Sequence, residues 1–224
     1  MGVFDVLARG MQANEQMLHY QSLNIANMQT PGYLRTQANF SSLLKEGLNE
    51  RSLTYDKSSG PFVATGRPLD LYLQPSIYMQ VRDESGVAYS RFGRLEINKD
   101  GELLDGNGKP LDVVGAFSAS DISKARIDEQ GGIWVGEEKK GAIALVKIDN
   151  ATVIKEGYVR EAEGISQSIN SNALLSGGYE MSNVNFSDEV VDLMLSIRYM
   201  NGLQFAYKSI DGLYQKAISD LGRF

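Results

Sequence analysis

The chain has 224 residues, a formal net charge of -6, no cysteine and one histidine, and its mean hydropathy is -0.24. These figures exclude disulfides, thiolate metal sites, cysteine nucleophiles and any site with two histidine ligands. No Lys/Arg cluster suits a phosphate backbone, and no apolar run approaches the roughly 20 residues that span a bilayer, so neither nucleic-acid binding nor membrane insertion is expected.

Residues 1–8 lack a basic group ahead of the apolar stretch, and Asp5 interrupts that stretch, so no cleaved signal peptide is expected there. From Phe4, steps of three and four give Phe4, Leu7, Met11, Asn14, Leu18, Gln21, Ile25 and Met28. This is a heptad seam with two polar exceptions, and it predicts an amphipathic helix within residues 1–34. Gln29-Thr30-Pro31-Gly32 ends it, because proline lacks an amide donor and glycine accepts the turn. Residues 35–66 are rich in Ser, Gly, Asn, Thr and Glu and read as a connecting arm, with Phe40, Leu43 and Leu44 marking a short helix or extended contact.

Residues 67–160 read as a central antiparallel β domain. Leu69 to Leu73 and Ile77 to Val81 alternate in polarity, and Asn98-Lys99-Asp100-Gly101 and Asp105-Gly106-Asn107-Gly108 are turn signals. Strands are predicted at 94–97, 102–104, 111–114, 125–127, 132–135 and 142–148. Their spacing suits a small sandwich or irregular barrel. Residues 161–184 read as the returning arm.

Asn185 is a good N-cap, and Asp188 and Glu189 suit the positive end of a helix dipole. Val190, Leu193, Ile197, Met200, Leu203, Tyr207, Ile210, Tyr214, Ala217 and Leu221 then follow in steps of three or four. They predict a helix of roughly 36 residues, about 55 Å long at ~1.5 Å per residue, within 185–224. Gly202 and Gly212 lie inside it, where bends or close packing would account for them. The fold class is therefore α+β: long terminal helices, a central all-β domain and extended arms. The ends are nearly neutral at -1 each, against -4 for residues 35–184.

Both terminal helices are apolar on more than one side. Val3, Val6 and Met17 lie off the N-terminal seam, and Val191, Met194, Tyr199 and Phe205 off the C-terminal one. A helix of this kind wants more than one neighbour. Pairing the ends with each other buries one stripe on each, so further copies are expected to supply the remaining burial, with ends that order on assembly. A simple intramolecular helix pair packed on the β domain explains the periodicity equally well. The assembly residues read from the seams are Leu7, Met11, Leu18, Ile25, Val190, Leu193, Ile197, Met200, Tyr207 and Tyr214.

Little here points to catalysis. His19 lies beside the seam with no triad partner evident and reads as an interface or solvent histidine. Asp100 and Asp105 sit in Asx-Gly turns, where their work is to bond the backbone, and with Asp70 they make a poor acid/base set. Asp105-x-Asn107 lacks the acid a calcium loop needs twelve positions in, where Ala116 stands. Gly106-x-Gly108 is a turn without a phosphate loop around it. Trp134, the one tryptophan, reads as core. No enzyme activity, metal or cofactor is expected.

Ser22-Leu23-Asn24-Ile25-Ala26-Asn27-Met28-Gln29-Thr30-Pro31-Gly32-Tyr33 resembles the N-terminal signature of the flagellar basal-body rod and hook proteins. Thr65-Gly66-Arg67-Pro68-Leu69-Asp70-Leu71 resembles that family's central motif. Tyr89-Ser90-Arg91-Phe92-Gly93, Asp100-Gly101-Glu102-Leu103-Leu104 and Gly106-Asn107-Gly108-Lys109-Pro110 follow at the family's spacing. Ser182-Asn183-Val184-Asn185 opens the last helix as the family's does, and Arg198-Tyr199 stands in the matching place.

The resemblance implies an inner coiled-coil layer of terminal helices with a β domain outside. It implies export through the flagellar type III apparatus without a cleaved signal, and assembly with itself and other rod and hook subunits in the periplasm-spanning basal body, where the rod transmits torque. Asn24, Asn27, Gly32 and Arg35 are the polar and turn residues that would fix helix register or cap the turn, although ordinary helix termination explains Asn27 and Gly32 almost as well. Two departures stand out: Gln74-Pro75-Ser76-Ile77-Tyr78-Met79 replaces the family's Gly-rich acidic turn, and residues 115–165 carry no family motif. Compactness favours a rod over a hook subunit, with a lean to the proximal rod. The alternatives are a hook-type axial protein, a peptidoglycan- or carbohydrate-binding β module on a helical stalk and, third, a hydrolase.

Overall fold

A computed structural model of the chain describes residues 2–46, 53–83, 86–115, 125–155, 157–166 and 172–221. Position 116 and residues 167–171 of the expected returning arm lie outside them. The chain divides into two units, one of residues 1–26, 36–54 and 185–224, the other of residues 27–35 and 55–184.

The first unit holds α1 (Val3–Ala26), β1 (Thr36–Ala38), α2 (Phe40–Glu46), β2 (Leu53–Tyr55, its last residue across the division) and α3 (Phe186–Leu221). α1 and α3 run antiparallel. The Phe4 ring meets Tyr207 and Tyr214, a Cβ on Gly10 would touch Leu203, and Asn14 bonds to Ser196. Asn185 caps α3, its Oδ1 accepting from the Ser187 amide at 3.0 Å. The short helix expected near Phe40 is α2, whose Phe40 ring lies edge-on to Tyr199 at 5.5 Å. α3 is one continuous 36-residue helix. A Cβ at Gly202 or Gly212 would meet nothing within 4 Å, so neither marks close packing within the described chain. Among the described residues no helix is long and apolar enough to cross a membrane.

The second unit is β-rich. It contains β3 (Phe62–Ala64), β4 (Leu71–Leu73), β5 (Ile77–Asp83), β6 (Gly86–Ser90), β7 (Glu96–Ile97), β8 (Leu103–Leu104), β9 (Val113–Gly115), β10 (Ala125–Ile127), β11 (Gly132–Val135), β12 (Glu138–Ile143), β13 (Leu145–Lys155), β14 (Tyr158–Ser166), β15 (Leu174–Ser176) and β16 (Gly178–Glu180). β13, β14, β6 and β5 close a small barrel, and β10-β11-β12-β9 form a separate antiparallel sheet.

The run predicted as one strand, 142–148, serves both sheets. It breaks at Ala144, whose amide donates to Asp112 O and whose carbonyl accepts from Gln80, each at 2.9 Å. β5 was expected to bury one face, but it buries both. Met79 and Val81 enter the main core with Leu71, Leu73, Phe92 and Leu95, while Tyr78 joins Val146, Ile148 and Val159 in a second core. The segments read as arms also carry strands: β3 pairs with β16, and β15 with β4.

Candidate assembly surface

The seam on α1 is a consistent stripe. Phe4, Leu7, Met11, Leu18 and Ile25 are half-buried, while Val3, Val6 and Leu23 lie open to solvent. Its two polar exceptions are explained together. Asn14, 2% exposed, donates from Nδ2 to the Ser196 carbonyl at 2.9 Å, and Gln21 donates from Nε2 to Ser196 Oγ at 3.0 Å.

On α3 the covered stripe runs through Glu189, Val190, Leu193, Ser196, Met200, Leu203, Ala206 and Ile210. Val190, Leu193 and Met200 are half-buried on this stripe. Ile197, Tyr207 and Tyr214 are exposed at the seam's edge, although both tyrosine rings touch Phe4. A heptad step on a straight helix falls about 20° short of two full turns, and here Ser196, not its neighbour Ile197, is the buried residue.

Much of α3 has no cover among the described residues. Phe205 is 74% exposed, Leu213 66% and Leu221 76%, with Val191, Met194, Leu195 and Ile218 also open. These residues fall on several sides of the helix. α1 has 24 residues and α3 has 36, so the last turns of α3 run past the start of α1. This surface has the character of an unfinished interior.

The remaining site residues form polar fixtures. Asn24 is buried on α1 and bonds the β1 backbone twice, accepting from the Thr36 amide at 3.0 Å and donating to its carbonyl at 2.8 Å. The amide group therefore stands in for a neighbouring strand. In the second unit Asn27 accepts from Thr30 Oγ1 at 3.1 Å, closing the turn. Gly32 has φ +73°, its amide donates to Glu180 O at 2.8 Å, and a Cβ there would lie 2.2 Å from Arg91 O. Only glycine meets both demands. The Arg35 amide donates to Asn183 Oδ1 at 2.6 Å, and Asn183 Nδ2 donates to Asp56 O and Ser58 O at 2.9 Å each.

The other motif residues knot the β body. Arg91 is buried, pairs with buried Glu180, and donates to the carbonyls of Leu73, Gln74 and Ile77 at 2.9–3.1 Å. Glu180 Oε1 in turn accepts from the Gly60 amide at 2.8 Å. Gly93 is required because a Cβ there would lie 1.8 Å from Leu71 O.

The carboxylates weighed for catalysis are occupied in holding loops. Asp70 accepts from Thr65 Oγ1 at 2.7 Å and sits 3.5 Å from Arg67. Asp105 accepts from the Asn107 and Lys109 amides, from Ser90 Oγ and from the Tyr158 hydroxyl. In the first turn Asn98, rather than Asp100, bonds the backbone, accepting from the amides of residues 100 and 102. Tyr158 is 1% exposed, and burial, reinforced by the Asp105 charge, pushes its phenol well above the usual range.

Trp134 is not core. It is half-buried on the outer face of its sheet, with its indole N–H donating to Asp128 at 2.7 Å and Arg126 over its ring. His19 is exposed, its ring against Tyr20. Sequence reasoning missed Ser196, Gly10 and Glu180. The polar interruptions of the α1 seam were the available signal for Ser196, since buried amides need partners.

No family model matches the chain. It is 23% identical over 252 residues to the flagellar basal-body rod protein FlgG of Bacillus subtilis, covering 94% of this chain and 95% of the relative. It is 23% identical over 240 residues to the flagellar basal-body rod protein FlgF of Rhizobium meliloti, covering 99% and 98%. The flagellar hook protein FlgE of Brucella melitensis matches at 25% identity over 85% of this chain but 47% of its own length.

Proposed function

We propose that this chain, similar over most of its length to flagellar basal-body rod proteins, is a non-enzymatic structural subunit of the flagellar axis, polymerising through α1 and α3 into the rod that transmits torque. The observation that carries this reading is α3, which is apolar on several sides yet covered by its own chain along one stripe, with Phe205, Leu213 and Leu221 at 66–76% exposure. Neighbouring copies and other rod and hook subunits would supply the missing cover, building the inner coiled-coil layer. In this reading residues 1–34 and 185–224 are the axial elements and 67–160 the outer β domain, joined by 35–66 and 161–184.

The assembly residues are those of the seams, with Asn24, Asn27 and Gly32 fixing the chain where it leaves α1. Export runs through the flagellar type III apparatus, and the site of action is the basal body. Compactness favours the rod over the hook, and the lean to the proximal rod gains no support from the relatives, since those named FlgG and FlgF match over similar spans at the same identity. The hook-type alternative is favoured by the match to a hook protein, about half of whose length this chain spans.

Electron microscopy of basal bodies from a strain lacking the protein tests the reading, because the rod should stop at the level this subunit occupies. Complementation with Leu193→Asp should fail to extend it while the β body stays folded. Complete rods in either strain would overturn the proposal.

A further inference from the structure

We propose that Asn14, Gln21 and Ser196 form a register lock that holds α1 at one axial position on α3 and forbids a slide by one heptad. The inference concerns the helix pair itself and stands whether or not the chain builds a rod. A slide is open on geometric grounds. α3 is 12 residues longer than α1, and its far end carries Leu213, Tyr214, Ile218 and Leu221, all exposed and apolar. Moving α1 seven residues toward that end keeps it apposed to α3 throughout. It also keeps most apolar positions facing apolar positions, because seven residues on from Val190, Leu193, Met200, Leu203 and Ile210 stand Ile197, Met200, Tyr207, Ile210 and Ala217. Hydrophobic burial alone therefore chooses poorly between the two registers.

The polar residues do choose. Both interruptions of the α1 seam converge on one small residue. Asn14 Nδ2 reaches the Ser196 carbonyl at 2.9 Å and Gln21 Nε2 reaches its hydroxyl at 3.0 Å, with Asn14 2% and Ser196 6% exposed. The short serine side chain leaves its carbonyl reachable and supplies an acceptor. One heptad on, position 203 is leucine, which covers its carbonyl and accepts nothing. A buried amide left without a partner disfavours an arrangement by roughly ten- to a hundredfold. Gly10 fits the same register, since a Cβ there would already touch both Leu203 methyl groups at 3.6 Å. Gln21 Oε1 is itself buried without a hydrogen-bond partner among the described residues, so the cluster carries a desolvation cost. Polar groups retained at some cost to stability act on specificity instead.

Because the chain has no cysteine, engineered pairs report register directly. Gly10→Cys with Leu203→Cys tests the observed register, and Gly10→Cys with Ile210→Cys tests the slid one, both in the full-length monomer under mild oxidation. With the lock intact, the first pair is expected to crosslink at least tenfold faster than the second. Asn14→Leu with Gln21→Leu should bring the two rates within threefold of each other without lowering the thermal midpoint. A role in stability alone would lower the midpoint and leave the rate ratio unchanged. Ser196→Ala serves if the double variant does not fold. It removes one acceptor and should speed the Ile210 pair several-fold. Equal crosslinking in the parent, or an unchanged ratio in whichever variant folds, overturns the proposal.

Discussion

Replacing Gly32 by alanine separates two costs that usually arrive together. Gly32 has φ +73°, a region where an L side chain costs roughly 1–2 kcal/mol. Its added Cβ would also stand 2.2 Å from Arg91 O and 2.7 Å from Arg91 C, which are backbone atoms that no rotamer change can move. Relief requires the turn to shift, and the Gly32 amide then loses its 2.8 Å bond to Glu180 O, worth about 1–3 kcal/mol if the carbonyl stays buried. The expected total is about 2–5 kcal/mol. Gly66 is the internal control: its φ is +71°, and a Cβ there meets nothing within 4 Å. Gly66→Ala should therefore cost only the backbone share, about 1–2 kcal/mol. Urea unfolding followed by the fluorescence of Trp134 gives both values on the same protein. Equal losses in the two variants would refute the assignment of Gly32 to close packing under Arg91.

The buried Arg91–Glu180 pair makes a second prediction. Glu180→Leu leaves the guanidinium uncompensated and should cost about 3–5 kcal/mol, whereas adding Arg91→Met should recover part of that loss, as a double-mutant cycle would record. For Tyr158 the folded-state pKa lies above the unfolded one, so the folded chain keeps a proton that the unfolded chain releases. Stability should fall as pH rises past about 10, and Tyr158→Phe should lack that part of the decline in unfolding titrations.

The helices were legible in the sequence because their evidence is local. An N-cap, a seam of three- and four-residue steps and a Pro-Gly stop specify an amphipathic helix whatever it packs on. The strands at 125–127 and 132–135 were legible as well, and the structure places strands at the same bounds. β14 was not, since its polar sequence YVREAEGIS gains its place from pairing with β13, the strand before it, and with β6, which is distant in the chain. The break at Ala144 was equally hidden, because it is set by Gln80 and Asp112 rather than by a local turn.

At the assembly surface the apolar positions could be read, but their exposure could not. Periodicity marks Ile197 and Tyr214 as seam residues without saying that Ser196 is the residue α1 reaches beside Ile197, or that α3 outruns α1 near Tyr214. Asn24 was singled out, although its bond to Thr36 depends on where β1 falls.

The central claim is that the open faces of α3 are completed by other subunits, and Phe205→Asp combined with Leu213→Asp tests it most directly. At 74% and 66% exposure these side chains contribute little to the lone chain, so the monomer's thermal midpoint should stay within a few degrees of the parent. Incorporation into basal bodies, scored by microscopy of the complemented deletion strain, should be lost. Complete rods built from the doubly substituted chain would contradict the account.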